Sequence, residues 1–235
     1  MRGHSAELGR GGFEVAWSAL EAAGQPLAIG CHVEEYHVTR RFVEMITPLM
    51  ASDLEPRLRE LVYRYFSEEV GHESFERATC AAFGIDASSL DAACPLPLHV
   101  AFVDVFTMLA RRGPVDFLSA VAITEGMLGE KSPLNDRIDE LMPEDADAKS
   151  VYHKHEELNV GLNHASIPRL ALSLVPVVDV AEQRRALQSL ALVFELNFRA
   201  WERLLEFYGD QAELRLPRAF DDYLAHPEAG LSHGR

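Results

Sequence analysis

Cysteine is scarce in this sequence. Three cysteines, Cys31, Cys80 and Cys94, occur among 235 residues, and no two of them stand in a C-x-x-C spacing. A small, odd number of cysteines fits a reducing compartment better than a disulfide framework. None of the three stands beside a histidine and a carboxylate as a catalytic thiol would, so we expect them to be small packing residues.

Long hydrophobic runs are missing as well. No apolar stretch approaches the roughly 18 residues that a membrane-spanning helix needs. The first residues, Met1–Gly12, lack the apolar core of a signal peptide. The sequence therefore predicts a cytoplasmic protein that does not enter a membrane.

Positive charge is in short supply. Lysine and arginine number 22 against 37 aspartates and glutamates, which gives a formal net charge of −15. Such a charge repels nucleic acid and anionic lipid surfaces. Glycine-rich phosphate loops are absent from the sequence too. We therefore expect a small-molecule substrate rather than a nucleic acid or a membrane.

Helical periodicity is what the sequence has in abundance. Apolar residues recur at spacings of three and four, while glycine and proline mostly separate such segments and no segment alternates as a strand does. The pattern predicts an all-α protein, a single helical bundle of about seven helices over 13–210. A flexible N-terminus at 1–12 and a loosely attached tail at 211–235 flank it.

Five of the predicted helices carry the functional argument: Leu27–Met50, Glu55–Phe83, Val115–Leu128, Pro143–Leu162 and Val180–Tyr208. A short helix is also predicted at Phe13–Ala23. The last long helix has aromatic residues at helical spacing, including Phe194 and Tyr208, which favour a core position or the wall of a substrate cavity.

The helix at Glu55–Phe83 has polar residues where its apolar stripe continues. Glu69 and His72 fall on the face defined by Leu58, Leu61 and Tyr65. Their E-x-x-H spacing on one helix would let a carboxylate and an imidazole reach the same ion from adjacent turns. The alternative is an exposed charged patch.

Glu125 interrupts a segment that is apolar on almost every side. A buried carboxylate needs a proton, a cation or a metal. The alternatives are a metal ligand and a buried ion pair with Arg111 or Arg112.

Two further helices offer candidate ligands. Glu35 shares a face of the first long helix with His32, whereas Glu34 and His37 lie on neighbouring faces. His155 and Asn159 share an inward face of the late helix, and His153 with Glu157 would serve if the opposite face pointed inward. Taken together, carboxylates and imidazoles on four helices of one bundle are the ligand types of a non-haem iron or di-iron site.

Three short segments carry a family resemblance: EEVGHE at Glu68–Glu73, AFGID at Ala82–Asp86 and HEELN at His155–Asn159. With them, the chain resembles the heme-oxygenase-like superfamily, nearest its non-haem branch of diiron oxidases and oxygenases. The resemblance spans about 29–205 and implies a heme-oxygenase-like bundle.

The resemblance implies roles for individual residues. Glu35, Glu69, His72, Glu125 and His155 correspond to metal ligands, and the last four would also be the catalytic residues. It implies one or two Fe(II) ions per chain, with O₂ as co-substrate. The implied reaction is oxidation or oxygenation of a small amine, an amino-acid-derived compound or a fatty-acid-like metabolite.

The chain departs from the family at two positions of the late helix. Asn159 stands where the family has a carboxylate, and Leu162 stands where it has a histidine. This departure keeps two alternatives open. One is a metal-free enzyme of the same fold, similar to thiaminases or to the cofactor-free enzyme of pyrroloquinoline quinone biosynthesis. The other is a non-catalytic binding or scaffold protein.

A homodimer is also expected from a bundle of this size.

Overall fold

The fold is described from a computed structural model of the chain. The structure describes residues 24–127, 133–143, 149–154, 166–176 and 178–217, and these ranges contain helices and no strand. The all-α class is thus confirmed. The helices are α1 (Gln25–Thr39), α2 (Phe42–Met50), α3 (Pro56–Glu69), α4 (Glu73–Ala82), α5 (Ala87–Ala92), α6 (Pro97–Arg112), α7 (Pro114–Met127), α8 (Pro133–Leu141), α9 (Ser166–Ser173) and α10 (Val180–Tyr208). Residues 149–154 are also helical.

Local sequence determines where the main helices begin. Proline stands in the first turn of α1, α3 and α6, where its missing N–H costs no helical hydrogen bond. The Glu55 carboxylate caps α3 by accepting from two backbone N–H groups. A reciprocal capping box between Asp179 and Glu182 starts α10. The observed bounds of α10 therefore coincide with the predicted ones.

Helix α1 lies in the centre of the bundle. Residues on nearly all its faces are buried, and α4, α6, α8 and α10 pack around it. The closest approach is at Gly30, where an added Cβ would overlap the ring of Tyr208 from α10. Because α1 is surrounded, most of its polar side chains must find their partners inside the protein.

The larger hydrophobic core lies beside α1. It joins α2, α3, α6, α7 and α9 through buried side chains such as Leu49, Leu58, Leu109, Phe117 and Ile167. Two smaller clusters line α1 itself, one including Tyr208 and the other Tyr36.

A buried carboxylate links α7 to α10. Asp116 has no exposed surface, and its two oxygens accept from Arg185 Nε at 3.0 Å and from Ser189 Oγ at 2.7 Å. Arg112 also donates to Ser189 Oγ, at 3.2 Å. The network satisfies a polar group in an otherwise apolar helix contact.

The prediction of one continuous helix over Glu55–Phe83 is wrong. α3 ends at Glu69 and α4 begins at Glu73, because Gly71 takes a φ of +98° that a right-handed helix cannot contain. The first long helix is also divided, between Thr39 and Phe42. There the Thr39 hydroxyl donates to the Glu35 carbonyl, a local bond that competes with the helical ladder.

Two further expectations concern the C-terminal part. Tyr208 is fully buried as predicted, but Phe194 is among the exposed large apolar residues and does not belong to the core. Residues 211–217 lie against the bundle: Leu214 packs on the cluster around Tyr208, and Cys94 N donates to Pro217 O at 2.7 Å. The predicted helix at Phe13–Ala23 lies outside the described residues.

Across the parts of the chain that the structure describes, no helix combines the length and the apolar character needed to cross a membrane.

Candidate metal centre

Glu35 occupies the middle of the candidate site. It keeps accessible surface, although neighbouring helices pack around α1 and remove much of the water from its carboxylate. Glu35 is therefore open to a ligand, while the protein around it raises its pKa.

His32 lies one turn before Glu35 on α1 and contacts α4. Its Nδ1 is 2.5 Å from Oε2 of Glu76. Both side chains are almost completely buried, with Glu76 only 1% exposed. A histidine and a carboxylate from facing helices therefore meet next to Glu35.

Glu125 approaches the site from α7. The hydroxyl of Tyr65 on α3 donates a hydrogen bond of 2.9 Å to its Oε1. Tyr65 is buried, and burial raises the pKa of its phenol well above the ordinary value, with Glu125 and then Glu69 raising it further. Tyr65 therefore lies between two of the predicted ligands and remains a hydrogen-bond donor at neutral pH.

Glu69 and His72 are close together, but not in the way the motif predicted. His72 Nδ1 lies 3.2 Å from Glu69 Oε2, and both side chains are largely buried. Glu69 is the last residue of α3, however, and His72 is the residue that precedes α4. The pair spans a break between helices at Gly71 rather than adjacent turns of one helix.

Glu76 was not predicted as a site residue. It is nevertheless buried in α4, as is Thr79 one turn further on. The signal that could have revealed it is spacing, because Glu76 lies four residues after His72 and therefore falls on the same face of a helix.

Electrostatic interactions connect Glu35 on α1 with Glu76 on α4 and Glu125 on α7. The pKa of Glu35 is raised to about 7, mainly by burial and then by the charges of Glu76 and Glu125, while His32 acts in the opposite direction. The carboxylates of α1, α4 and α7 are thus close enough for each negative charge to oppose the next. A proton or a cation among them would relieve this repulsion.

A second polar cluster lies on another face of α1, where Glu34 and His37 are buried. Glu34 accepts from Leu96 N at 2.8 Å and from the Tyr208 hydroxyl at 3.0 Å. His99 Nδ1 lies 3.5 Å from Oε2 of Glu34, the oxygen that accepts from Leu96 N. Burial raises the pKa of Glu34 to about 7, because the two hydrogen bonds only partly offset the loss of water.

The two histidines of this cluster are held neutral. The pKa of His99 is lowered to about 4, mainly by burial and then by nearby His37. Burial likewise lowers the pKa of His37 to about 4, with a contribution from Arg40. Sequence reasoning placed Glu34 and His37 on side faces and did not single out His99, because periodicity gives no sign that α1 is covered all round.

Other predicted ligands lie elsewhere or outside the described residues. His153 is on the surface, with Nε2 3.0 Å from Asp139, so it is not among the side chains brought together around Glu35. His155, Glu157 and Asn159 lie outside the described residues.

The alternative ion pair of Glu125 with Arg111 or Arg112 is excluded by helix geometry. Both arginines precede α7, and Glu125 lies eleven residues after its first residue. At 1.5 Å of rise per residue, that places Glu125 about 17 Å along the helix from the arginines.

The chemistry of these donors fits a divalent iron ion. Carboxylates and imidazoles are the side chains that non-haem iron proteins use, and a cation would offset the repulsion around Glu35. Among the described residues, no three His, Cys, Asp or Glu side chains already surround a common point as metal ligands do. Any ion held here would therefore need adjustment of these side chains or a ligand from outside the described ranges.

Comparisons with known proteins identify the family and the fold of the chain. The family model of an iron-containing redox enzyme matches residues 32–197. The crystal structure of a domain of unknown function with a heme oxygenase-like fold, from Shewanella denitrificans OS217, superposes with a TM-score of 0.68. It is 19% identical, and the match covers 87% of this chain and 90% of that one. The heme-oxygenase-like fold predicted from sequence is thereby confirmed. No curated protein matches the chain.

Proposed function

The chain belongs to the iron-containing redox enzyme family, and from this premise we propose that it is a non-haem iron-dependent oxidase or oxygenase that uses O₂. Its substrate would be a small amine, an amino-acid-derived compound or a fatty-acid-like metabolite. The observation that carries the proposal is the contact of His32 with Glu76 beside Glu35, whose carboxylate feels the charges of both Glu76 and Glu125.

The residues that would hold iron come from several helices of the bundle. Glu35 on α1 and Glu125 on α7 would be carboxylate ligands, and Glu69 with His72 would supply a further carboxylate and imidazole. His155 is the remaining ligand that the family resemblance implies. Bound Fe(II) would supply the electrons for reduction of O₂ and an open coordination position for it.

The protein's own contribution would be orientation and control of water. Tyr65 donates to Oε1 of Glu125 and would thereby orient this carboxylate in the site. The hydrophobic core that contains Tyr65 would form an apolar wall beside the site, and such a wall would limit water around a reactive oxidant.

Iron content tests the proposal directly. The full-length protein is loaded with Fe(II) without oxygen, desalted and assayed for iron per chain. Glu35→Ala/Glu125→Ala is compared with the matched double variant Glu44→Ala/Glu60→Ala, whose glutamates are exposed. We expect one or two irons per chain in the wild type and in the exposed double variant, and a loss in the first variant.

The number of irons separates the possibilities. Two irons would mean that Asn159 and Leu162 do not abolish the second position, and one would indicate a single-iron enzyme. Either result leads to an O₂-uptake screen with amines, amino acids and fatty acids. Iron no higher than in Glu35→Ala/Glu125→Ala would refute the iron proposal.

A metal-free enzyme is the second candidate, and one observation favours it. A carboxyl group whose pKa lies near 7 is suited to acid–base catalysis at neutral pH, and burial brings the pKa of Glu35 to about 7. Such an enzyme would keep full activity in chelator, whereas the iron enzyme would lose it.

Homodimer formation remains a prediction that size-exclusion chromatography with light scattering would check.

A further inference from the structure

The His32–Glu76 pair joins α1 to α4 at the edge of the candidate site. Nδ1 of His32 and Oε2 of Glu76 are 2.5 Å apart, and the two side chains are 8% and 1% exposed as whole residues. Placing a carboxylate and an imidazole in the interior is costly unless they serve one another or a third group. The pair therefore requires an explanation beyond helix packing.

His32 and Glu35 have the spacing that the broken motif at Glu69 and His72 lacks. They stand three residues apart on α1, which runs without interruption from Gln25 to Thr39. On an intact helix, residues three apart project from adjacent turns of the same face. An imidazole and a carboxylate can thus reach one ion from α1 alone.

The contact with Glu76 prepares His32 for such a role. A histidine that binds a metal through one ring nitrogen usually donates the N–H of the other to a carboxylate or a carbonyl. With the proton of neutral His32 on Nδ1 and directed to Glu76, Nε2 carries the lone pair that a metal requires.

We propose that His32 is a metal ligand of this chain, acting beside Glu35, and that Glu76 is the carboxylate that orients it. The proposal rests on the proposed iron site. It supplies an imidazole from α1 in a chain that has Leu162 where the family resemblance implies a late-helix histidine. The site would thus keep the same number of imidazole ligands, with one of them on α1 instead of the late helix.

The test is anaerobic titration of the chelator-treated, full-length protein with Fe(II) and, separately, with Co(II). Cobalt absorbs visibly, and its spectrum reports the ligands and geometry around it. We expect His32→Ala to weaken binding of at least one ion by about 10- to 100-fold and to change the cobalt spectrum. Added free imidazole would restore part of the affinity by filling the vacated space.

Further variants keep the test valid if His32→Ala folds poorly. His32→Gln retains a donor for Glu76 but removes the imidazole, so it should weaken binding like His32→Ala. Glu76→Gln retains an acceptor for His32 Nδ1, so it should bind within a few-fold of wild type, whereas Glu76→Ala should lose about 10-fold or more. His37→Ala, a buried histidine on the same helix, is the matched control and should leave metal affinity unchanged.

The outcomes are distinct. Wild-type affinity and spectrum in both His32 variants would overturn the ligand assignment while leaving the iron proposal standing. Equal loss in Glu76→Gln and Glu76→Ala would overturn the orienting role, because it would make Glu76 a ligand itself. If the wild type binds neither ion, the iron proposal and this assignment fall together. Lower thermal stability with unchanged affinity would show a purely structural pair.

Discussion

Tyr65 donates a 2.9 Å hydrogen bond to Oε1 of Glu125, and this bond joins α3 to α7 at the candidate metal site. Tyr65 is only 3% exposed, so water cannot readily replace it as the donor. The orientation of Glu125 therefore depends on a residue that sequence analysis treated only as part of an apolar stripe.

Replacing Tyr65 by phenylalanine should weaken metal binding more than it weakens the fold. We expect Tyr65→Phe to lower Fe(II) affinity about 10- to 100-fold, as the loss of a group that orients a ligand does. The free energy of unfolding of the metal-free protein should fall by only about 1 kcal/mol. Anaerobic metal titration and urea denaturation measure the two quantities.

The matched control for Tyr65→Phe is Tyr63→Phe on the same helix. Tyr63 is 45% exposed, so its hydroxyl can bond to water instead, and affinity should not change. In a Glu125→Ala background, Tyr65→Phe should have no further effect on affinity if Tyr65 acts through Glu125. Additive losses would contradict that mechanism.

Gly30→Ala should destabilise the protein although alanine favours helices. Helix propensity alone predicts a gain of about 1 kcal/mol. The added Cβ would overlap the ring of Tyr208, however, and overpacking of this kind costs about 1–3 kcal/mol or more. Chemical denaturation gives the sign of the change. Gly24→Ala is the control, because its added Cβ would lie at an ordinary 3.8 Å from the nearest side-chain atom. A Gly30→Ala protein that is more stable than the wild type would show that α10 does not pack against α1 as described.

Acid should weaken the protein through His99. Burial lowers the pKa of His99 to about 4, below the ordinary 6.5. Between these values the unfolded chain binds a proton that the folded chain does not. The resulting contribution to stability is complete above pH 6.5 and is lost as the pH falls towards 4, by at most about 3 kcal/mol.

The variant His99→Gln isolates that contribution. The difference in unfolding free energy between pH 7 and pH 5, measured by urea denaturation, should be smaller in His99→Gln than in the wild type. His153→Gln changes a surface histidine and should retain the wild-type pH dependence. Identical pH dependence in all three proteins would mean that His99 does not titrate as its burial implies.

Asp116→Asn should loosen the contact between α7 and α10. The variant can still accept from Ser189, but it loses the charge that Arg185 meets at 3.0 Å. We expect a loss of about 1–3 kcal/mol in the free energy of unfolding, the range for a buried hydrogen bond to a charged group. Glu202→Ala breaks the exposed pair with Arg199 and should cost less than about 1 kcal/mol. Equal effects of the two changes in thermal unfolding would contradict the assignment.

Local signals account for what the sequence predicted correctly. The capping box at Asp179 and the prolines that begin α3, α6 and α7 act within a few residues, so they place helix starts without knowledge of the fold. Periodicity in the same way identified the all-α class and placed His32 and Glu35 on one face of the first long helix. The family resemblance added the heme-oxygenase-like fold, which short motifs carry even where individual ligands differ.

The candidate site could be predicted only in part. Glu35, Glu69, His72 and Glu125 were all singled out as ligands, and this assignment stays a prediction. The structure places His72 beside Glu69, and Glu35 feels the charge of Glu125. Glu76 and Tyr65 were not singled out. Gly71 ends α3 and separates Glu69 from His72, whereas the contacts of Glu76 and Tyr65 depend on which helices face one another.

The sequence alone determined the helical class, the acidic charge and the residue types available for a metal site, because these follow from composition and short-range spacing. Only the tertiary structure decided which of those residues meet. The pairings of His32 with Glu76 and of Tyr65 with Glu125 join residues 44 and 60 positions apart. Such contacts depend on how α1, α3, α4 and α7 pack, and no local pattern encodes the crossing of one helix over another.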